Sequence, residues 1–443
     1  MIEHDIIAAP ATALGGAIAV IRLSGEGAIE CCDAIFRGRK RLADAGSHTV
    51  HYGEIADGKR VIDDVLVAVF RAPHSYTGED SVEISIHGSR YIASEVIGLL
   101  CRHGARPARA GEFSMRAFAA GKIDLSQAEA VADIIAADSR AAHAMASTQM
   151  RGGYSESLRE LRGRLLNITS LLELELDFSE EDVEFADRTR LKAMLDETCA
   201  TVGRLMESFR TGNAIRNGIR VAIVGAPNVG KSTLLNRLVE DDRAMVSDIA
   251  GTTRDTIEEE VVIDGIRFRF IDTAGLRDTD DRLERMGIER SHKAIETAQV
   301  VIRMVEPTAK SAEVFAGNSI PAREIVVVNK IDTSEQRNID GAIYISAREN
   351  IGIDELRKAL CDTIDTEGLY RGDVIVSNAR HYDALSKAHD GIERAIAGLS
   401  DGISSEMLSE DIRTTIDALG EITGEITSDE ILGNIFSKFC IGK

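Results

Sequence analysis

The 443-residue chain contains no tryptophan, only 6 prolines, and an aromatic content of 4 %. Few prolines and few aromatics disfavour a loop-rich or aromatic-packed β scaffold and suit a helix-rich globular protein. The 6 cysteines (Cys31, Cys32, Cys101, Cys199, Cys361 and Cys440) form no CxxC pair and no zinc-ligand spacing. A disulfide framework is therefore not expected, and a reducing, cytoplasmic setting is. No apolar run is long enough to cross a membrane, and the start, Met-Ile-Glu-His-Asp, lacks the basic and apolar parts of a signal peptide. Positive charge is also short. A formal net charge of −21 argues against broad, non-specific nucleic-acid binding. The imbalance is uneven: residues 173–187 hold eight acids and no base, whereas residues 102–122 hold Arg102, Arg106, Arg109, Arg116 and Lys122 against Glu112 alone. That second stretch is either a dock for a polyanion or a solvated basic turn.

What is present is more specific. The apolar run Val221–Val224 leads directly into Gly225-Ala-Pro-Asn-Val-Gly-Lys-Ser232. Glycines 225 and 230 let the backbone wrap a phosphate, Lys231 reaches the terminal phosphates, and Ser232, followed by Thr233, can hold magnesium. Asp272-Thr273-Ala274-Gly275 follows the run Phe268–Ile271, where the carboxylate reaches magnesium and a glycine N–H the γ-phosphate. Asn329-Lys330-Ile-Asp332 follows Ile325–Val328, and an aspartate there accepts both the ring N–H and the exocyclic amine of guanine, donors adenine does not offer together. Ser346-Ala347 completes the base pocket. Four motifs in this order, each at a strand end, predict a guanine-nucleotide switch domain.

This domain departs from small regulatory GTPases at the residue after Gly275, where Leu276 replaces the water-orienting glutamine. Asn228 offers an amide oxygen to a monovalent cation beside the phosphates, and Glu284 offers a carboxylate to the attacking water. An ordinary helix-surface role would also suit Glu284. Between the phosphate loop and the next strand lies Ser247-Asp248-Ile249-Ala250-Gly251-Thr252-Thr253-Arg-Asp255, from which Thr253, with Thr252 beside it, closes on magnesium and the γ-phosphate.

Around the switch domain, the first ~120 residues read as α+β, with strands at Gly16–Leu23, Val61–Phe70 and Val82–Ile86 and helices at Ala28–Phe36 and Tyr91–Cys101. Helical spacing starts after Asp124, continues through Leu158, Leu161, Leu165, Ile168 and Leu172, and covers 188–209. It resumes at Ala379–Leu399, Met407–Ile422 and Ser428–Phe439. Thr211–Gly218 reads as a linker. Neither helical block has a complete core alone, so the two should pack together around an inserted switch domain. The expected fold is thus multidomain α/β and α: an N-terminal α+β domain (1–120), a discontinuous helical domain (121–212 and 376–443), and an inserted Ras-like P-loop domain (213–375).

Gly251-Thr-Thr-Arg-Asp255, Asp272-Thr-Ala-Gly-Leu-Arg277 and the ending Phe439-Cys-Ile-Gly-Lys443 together resemble the MnmE (TrmE) family of tRNA-modifying GTPases. Thr77-Gly-Glu-Asp80, His87-Gly88, Gly111-Glu-Phe-Ser114, 122–130 and Glu421-Ile-Thr-Gly-Glu425 extend the likeness along the whole chain. The resemblance implies a homodimer joined through an N-terminal domain that binds a reduced folate (5,10-methylene- or 5-formyl-tetrahydrofolate). It also implies an FAD-carrying MnmG-like partner, in a heterotetramer or larger, and an aminomethyl or carboxymethylaminomethyl group added to C5 of the tRNA wobble uridine. Hydrolysis would follow potassium-dependent pairing of the switch domains. Matching positions would be Asn228, Ser247, Ile249 and Thr252 for potassium, and Ser232 and Thr253 for magnesium. Glu284 would orient water, and Arg22, Glu83, Lys122 and Lys443 would contact folate. Cys440 matches the family's C-terminal cysteine, a candidate reactive thiol. Ser247 stands where threonine is more usual, and the loop from Val305 to Glu324 is short. The competing expectation is a ribosome-assembly switch that binds RNA, although such proteins usually append a basic RNA-binding module.

Overall fold

The computed structural model describes residues 5–177, 188–243, 258–272, 295–307, 323–334, 339–364, 367–439 and 442. The chain folds into two compact units, one of residues 1–132, 150–166 and 416–443, the other of residues 133–149 and 167–415.

The first unit is built on a seven-stranded sheet. Its strands are β1 (Ile6–Pro10), β2 (Ile18–Ser24), β3 (Phe36–Gly38), β4 (Thr49–Asp57), β5 (Arg60–Phe70), β6 (Ser81–His87) and β7 (Ala105–Pro107), in the order β3-β4-β5-β6-β2-β1-β7. All neighbours are antiparallel except β1 and β7. Period-two alternation explains the layers. Val65, Val67 and Val69 of β5 and Val82, Ile84 and Ile86 of β6 point to one core, with Ala93, Val96 and Leu100 of α2 (Arg90–Arg102) and Ile29 of α1 (Ala28–Asp33). Two further helices, α3 (Glu112–Ala119) and α4 (Leu125–Ala136), follow the last strand.

Helices α5 (Arg140–Met150), α6 (Gly153–Asp177) and α7 (Arg188–Asn217) lead to the second sheet, whose strands are β8 (Ile219–Gly225), β9 (Glu258–Ile263), β10 (Ile266–Asp272), β11 (Val300–Val305), β12 (Arg323–Val328) and β13 (Ile343–Tyr344). The order β13-β12-β11-β8-β10-β9 is parallel throughout except for the β9–β10 hairpin. Asp264 (φ 50°) and Gly265 (φ 79°) make that hairpin's two-residue turn, whose left-handed angles suit this pair. Both faces of β8 are covered: Val221 and Ile223 pack with Leu234, Leu235 and Leu238 of α8 (Lys231–Arg243), and Ala222 and Val224 pack with Val301. Chain order reverses on either side of β8, which puts the loop after it at the switch point where parallel sheets bind ligands.

The stretch 211–217, expected as a linker, is the last two turns of α7. Ala214 and Ile215 are buried, so the apolar face continues, and Gly218 (φ 80°) ends the helix in the left-handed conformation. Gly212 is a contact glycine: a Cβ there would lie 2.2 Å from the carbonyl oxygen of Val376. Helix α9 (Ile353–Cys361) covers the sheet and α10 (Glu367–Arg371) precedes the return to α11 (Ala379–Asp401), which packs along α7 with Phe209 and Tyr382 stacked at 4.6 Å. Then come α12 (Ser405–Thr423) and α13 (Asp429–Phe436). In the first unit Leu432, Ile435 and Phe436 of α13 pack on Phe118, Leu125 and Ala128. No helix of the described residues is long and apolar enough to cross a membrane.

Candidate functional site

Backbone conformations that only particular residues tolerate shape the phosphate loop. Gly225 has φ 152° and a Cβ there would lie 2.3 Å from the Met304 carbonyl oxygen; Gly230 has φ 104° and a Cβ there would lie 2.2 Å from Asn329 Nδ2. Asn228, at φ 64°, is a residue type that accepts the left-handed region. Lys231 Nζ donates to the carbonyls of Gly225 (2.9 Å) and Ala226 (3.0 Å), which holds the ammonium against the loop. Ser232 and Thr233 are exposed on the first turn of α8, whose free N–H groups and dipole favour an anion. This donor set fits a phosphate chain with a hydroxyl-bound magnesium ion.

The Asn329–Asp332 loop is tied to the phosphate loop through Asn329, which is 3 % exposed. Its Nδ2 donates to the Val229 carbonyl at 2.8 Å, and its Oδ1 accepts from the Ala347 N–H at 3.0 Å. One side chain thus fastens the phosphate loop to the loop after β13. Ser346 Oγ donates to Asp332 Oδ1 at 2.7 Å and accepts from the Glu349 N–H at 3.2 Å, which orients the carboxylate. Lys330, at φ 67°, pairs with Glu306 at 2.6 Å. A cavity of about 260 Å³ lies between these parts, lined by Asn228, Gly230, Thr233, Asn329, Asp332 and Ser346 among others. The backbone of Asp272 ends β10, next to β8. Ser247, Asp248, Ile249, Ala250, Gly251, Thr252, Thr253, Thr273, Ala274, Gly275, Leu276 and Glu284 lie outside the described residues.

The first unit contains a second polar constellation. Arg22 and Glu83 are direct cross-strand partners on β2 and β6, and Arg22 Nε and Nη2 donate to Glu83 Oε1 at 2.9 and 2.8 Å. The guanidinium lies 5.4 Å from the Tyr76 ring centroid and 5.7 Å from that of Phe113, distances that permit cation–π attraction. Its Nη1 is 3.5 Å from the Gly442 carbonyl oxygen. Gly442 has φ 98°, and a Cβ there would lie 2.0 Å from the Pro10 carbonyl oxygen, so a larger residue would force the tail off β1. Exposed Lys122 lies close to Gly78: a Cβ on that glycine would be 3.3 Å from Lys122 Cε. Cys440 and Lys443 lie outside the described residues. Arg22, Glu83, Tyr76, Phe113 and the Gly442 carbonyl thus gather a cation, a carboxylate, two aromatic rings and an acceptor in one place.

Three of the five bases of the stretch 102–122 are already paired with acids of the chain. Arg102 pairs with Asp57, Arg106 with Asp5 and Glu112, and Arg116, 2 % exposed, with Asp5, Glu79 and Glu112. Arg106 and Arg116 thus use their charge inside the unit, whereas Arg109 and Lys122 are exposed. Glu112 is buried, which raises its pKa, but hydrogen bonds from Arg106 and the Arg109 N–H and the nearby guanidinium charges outweigh this and leave it below the usual value. Asp5 is lowered in the same sense: Arg106 and Arg116 outweigh its desolvation. Tyr76, Phe113 and Glu79 have no role assigned from sequence, and Arg116 enters there only within the basic stretch 102–122. The Thr77–Asp80 and Gly111–Ser114 motifs that flank or contain them were the available signal.

Strand order, the glycine-shaped loop and the Asn329 clasp together define a P-loop nucleotide-binding protein of the parallel-sheet class. The model of the MnmE helical domain matches residues 125–440, and that of the GTP-binding protein TrmE N-terminus matches residues 6–122. The tRNA modification GTPase MnmE of Flavobacterium psychrophilum is 49 % identical, and that of Bacteroides thetaiotaomicron 50 % identical, each over 100 % of both chains. The chain belongs to the MnmE family of tRNA modification GTPases. A crystal structure of Aquifex aeolicus Era with GDP.AlF4- overlaps 39 % of this chain and 65 % of its own at 29 % identity, with a TM-score of 0.26, too low to bear on the fold.

Proposed function

We propose that this protein is a GTP hydrolase that works with an FAD-carrying MnmG-like flavoprotein to place an aminomethyl or carboxymethylaminomethyl group on C5 of the tRNA wobble uridine. A reduced folate would supply the one-carbon unit. The observation that carries the nucleotide part is the Ser346–Asp332 hydrogen bond beside the phosphate loop. It presents a fixed carboxylate to two donors on one base edge, as guanine requires. Full-length kinship with proteins named for tRNA modification supports the rest and favours it over a ribosome-assembly switch.

Lys231 and the loop N–H groups would hold the phosphates, Ser232 and Thr253 magnesium, and Asn228, Ser247, Ile249 and Thr252 potassium. A potassium ion there would supply positive charge to the phosphates where arginine fingers act in other switches. Glu284 would orient water in place of the glutamine that Leu276 replaces. Arg22, Glu83, Lys122 and Lys443 would hold the folate, with Cys440 as a reactive thiol near them. The domain division is 1–120, 121–212 with 376–443, and 213–375. It is supported by the approach of Gly212 to Val376 and by the Val376 N–H bond to Ser208 Oγ (3.0 Å), which bring entry and exit of the inserted segment together.

Homodimerisation through the first unit is supported by exposed apolar residues on β4 and β5, where Tyr52 (69 % exposed) lies directly opposite Leu66 (49 %) and Val50 (64 %) shares the strand face. The protein would act in the cytoplasm. Mass analysis of tRNA nucleosides tests the whole reading. Cells lacking the gene should lose the C5-modified wobble uridine and regain it with the wild-type gene but not with Lys231→Ala. An unchanged nucleoside profile in the deletion would refute it.

A further inference from the structure

Helices α7 and α11 meet at a polar cluster that none of the nucleotide motifs uses. Cys199 Sγ lies 3.5 Å from His389 Nε2, and Glu393, one turn along α11, has Oε2 3.8 Å from His389 Nδ1. One ligand atom from each of the three residues lies within 4.8 Å of the others. Gly203, one turn beyond Cys199, places no side chain beside the imidazole: even a Cβ there would come no closer than 4.0 Å to Nε2.

We propose that Cys199, His389 and Glu393 form a binding site for a zinc-class divalent ion that clips α7 to α11. The separation is the first argument. Tetrahedral zinc with Zn–S of about 2.3 Å and Zn–N of about 2.05 Å sets its sulfur and nitrogen ligands about 3.5 Å apart. The two helices already hold Sγ and Nε2 at that spacing, so these two ligands need little backbone movement, and the exposed Glu393 side chain would turn from Nδ1 to reach the ion. Ligand chemistry is the second argument: one sulfur, one imidazole nitrogen and one carboxylate select zinc or cobalt over magnesium, which prefers all-oxygen octahedral sites. Three protein ligands leave a fourth position for water. The His389 side chain is 25 % and that of Glu393 63 % exposed, which leaves an entry path from solvent.

The surroundings favour a cation as well. The carboxylates of Glu393 and Asp196 both lie near the Cys199 sulfur. Those carboxylates attract a dication, which would displace the thiol proton on binding. Since α7 leads into β8 and α11 follows the inserted sheet, the clip would fix the helices that carry the nucleotide domain.

The test uses the reduced full-length chain, saturated with magnesium and GDP, titrated with Co²⁺. One equivalent should give a thiolate-to-cobalt charge-transfer band that Zn²⁺ abolishes by displacement. Cys199→Ser should remove the band. Glu393→Gln, a largely exposed change that leaves packing intact, should weaken cobalt affinity at least about tenfold. Absence of the thiolate band in the wild type, its survival in Cys199→Ser, or unchanged affinity in Glu393→Gln would each overturn the site.

Discussion

Replacing Gly230 by alanine isolates the link between the phosphate loop and the base-reading edge. The added methyl would sit 2.2 Å from Asn329 Nδ2 on a backbone at φ 104°, so both strain and collision follow. Holding an L-residue in that region costs on the order of 1–3 kcal/mol. Relieving the collision by moving the Asn329 amide breaks its bond to the Val229 carbonyl, to the Ala347 N–H, or to both. Losing a buried hydrogen bond and leaving one group unpaired costs about 1–3 kcal/mol. The two effects together predict a loss of about 2–6 kcal/mol in the binding-competent state, or roughly thirtyfold to a few ten-thousandfold in nucleotide affinity. Fluorescent-GDP titration of the wild type, Gly230→Ala, Asn329→Ala and the double variant measures this. Because both single changes break the same clasp, the double variant should lose much less than the sum. Affinity of Gly230→Ala within about threefold of wild type, in a protein with native circular dichroism, would refute the argument.

Asp332→Asn should shift preference from guanosine to xanthosine nucleotides, since asparagine donates where xanthine presents an oxygen; competition binding with GDP and XDP reads this, and an unchanged preference removes Asp332 as the base reader. GTP hydrolysis should run far faster in potassium than in sodium at matched ionic strength, and equal rates would exclude a cation site at Asn228 and the 247–252 loop. Glu112 and Asp5 titrate below their unfolded values, so their stabilising contribution is complete above about pH 4.5 and is lost as pH falls through the depressed folded values. Glu112→Gln should flatten the acid limb of thermal stability, and an unaltered acid limb would show that the Arg106–Glu112–Arg116 network contributes nothing to it. Removing Gly442 and Lys443, or changing Cys440 to serine, should weaken tRNA modification while sparing GTP hydrolysis; loss of hydrolysis instead would place the tail's action on the nucleotide domain.

The nucleotide site was legible because its chemistry is local. Loop 225–232 and motif 329–332 each follow an apolar run, and a buried parallel strand ending in a tight turn leaves few other readings for such a string. Strands β2, β5 and β6 and helices α2, α4, α6 and α11 were legible from period alone, because one face of each is buried. The expected linker 211–218 is helical up to Asn217 because turn-forming residues do not show their tertiary neighbours: Gly212 lets the chain at Val376 approach the helix. The pairing of the basic stretch is hidden for a related reason. Charge along a sequence does not say where the counter-charges lie, and Asp5 and Glu79 reach Arg116 from 111 and 37 residues away. The motifs and their order were thus set by the sequence, whereas tertiary structure decided three pairings. Asn329 clasps the phosphate loop, Gly442 returns 420 residues to Arg22, and Cys199 meets His389 across two helices. Each depends on the packing of elements distant in sequence, where the cost of closing the loop is offset by burial spread over the whole core and leaves no mark at the paired positions.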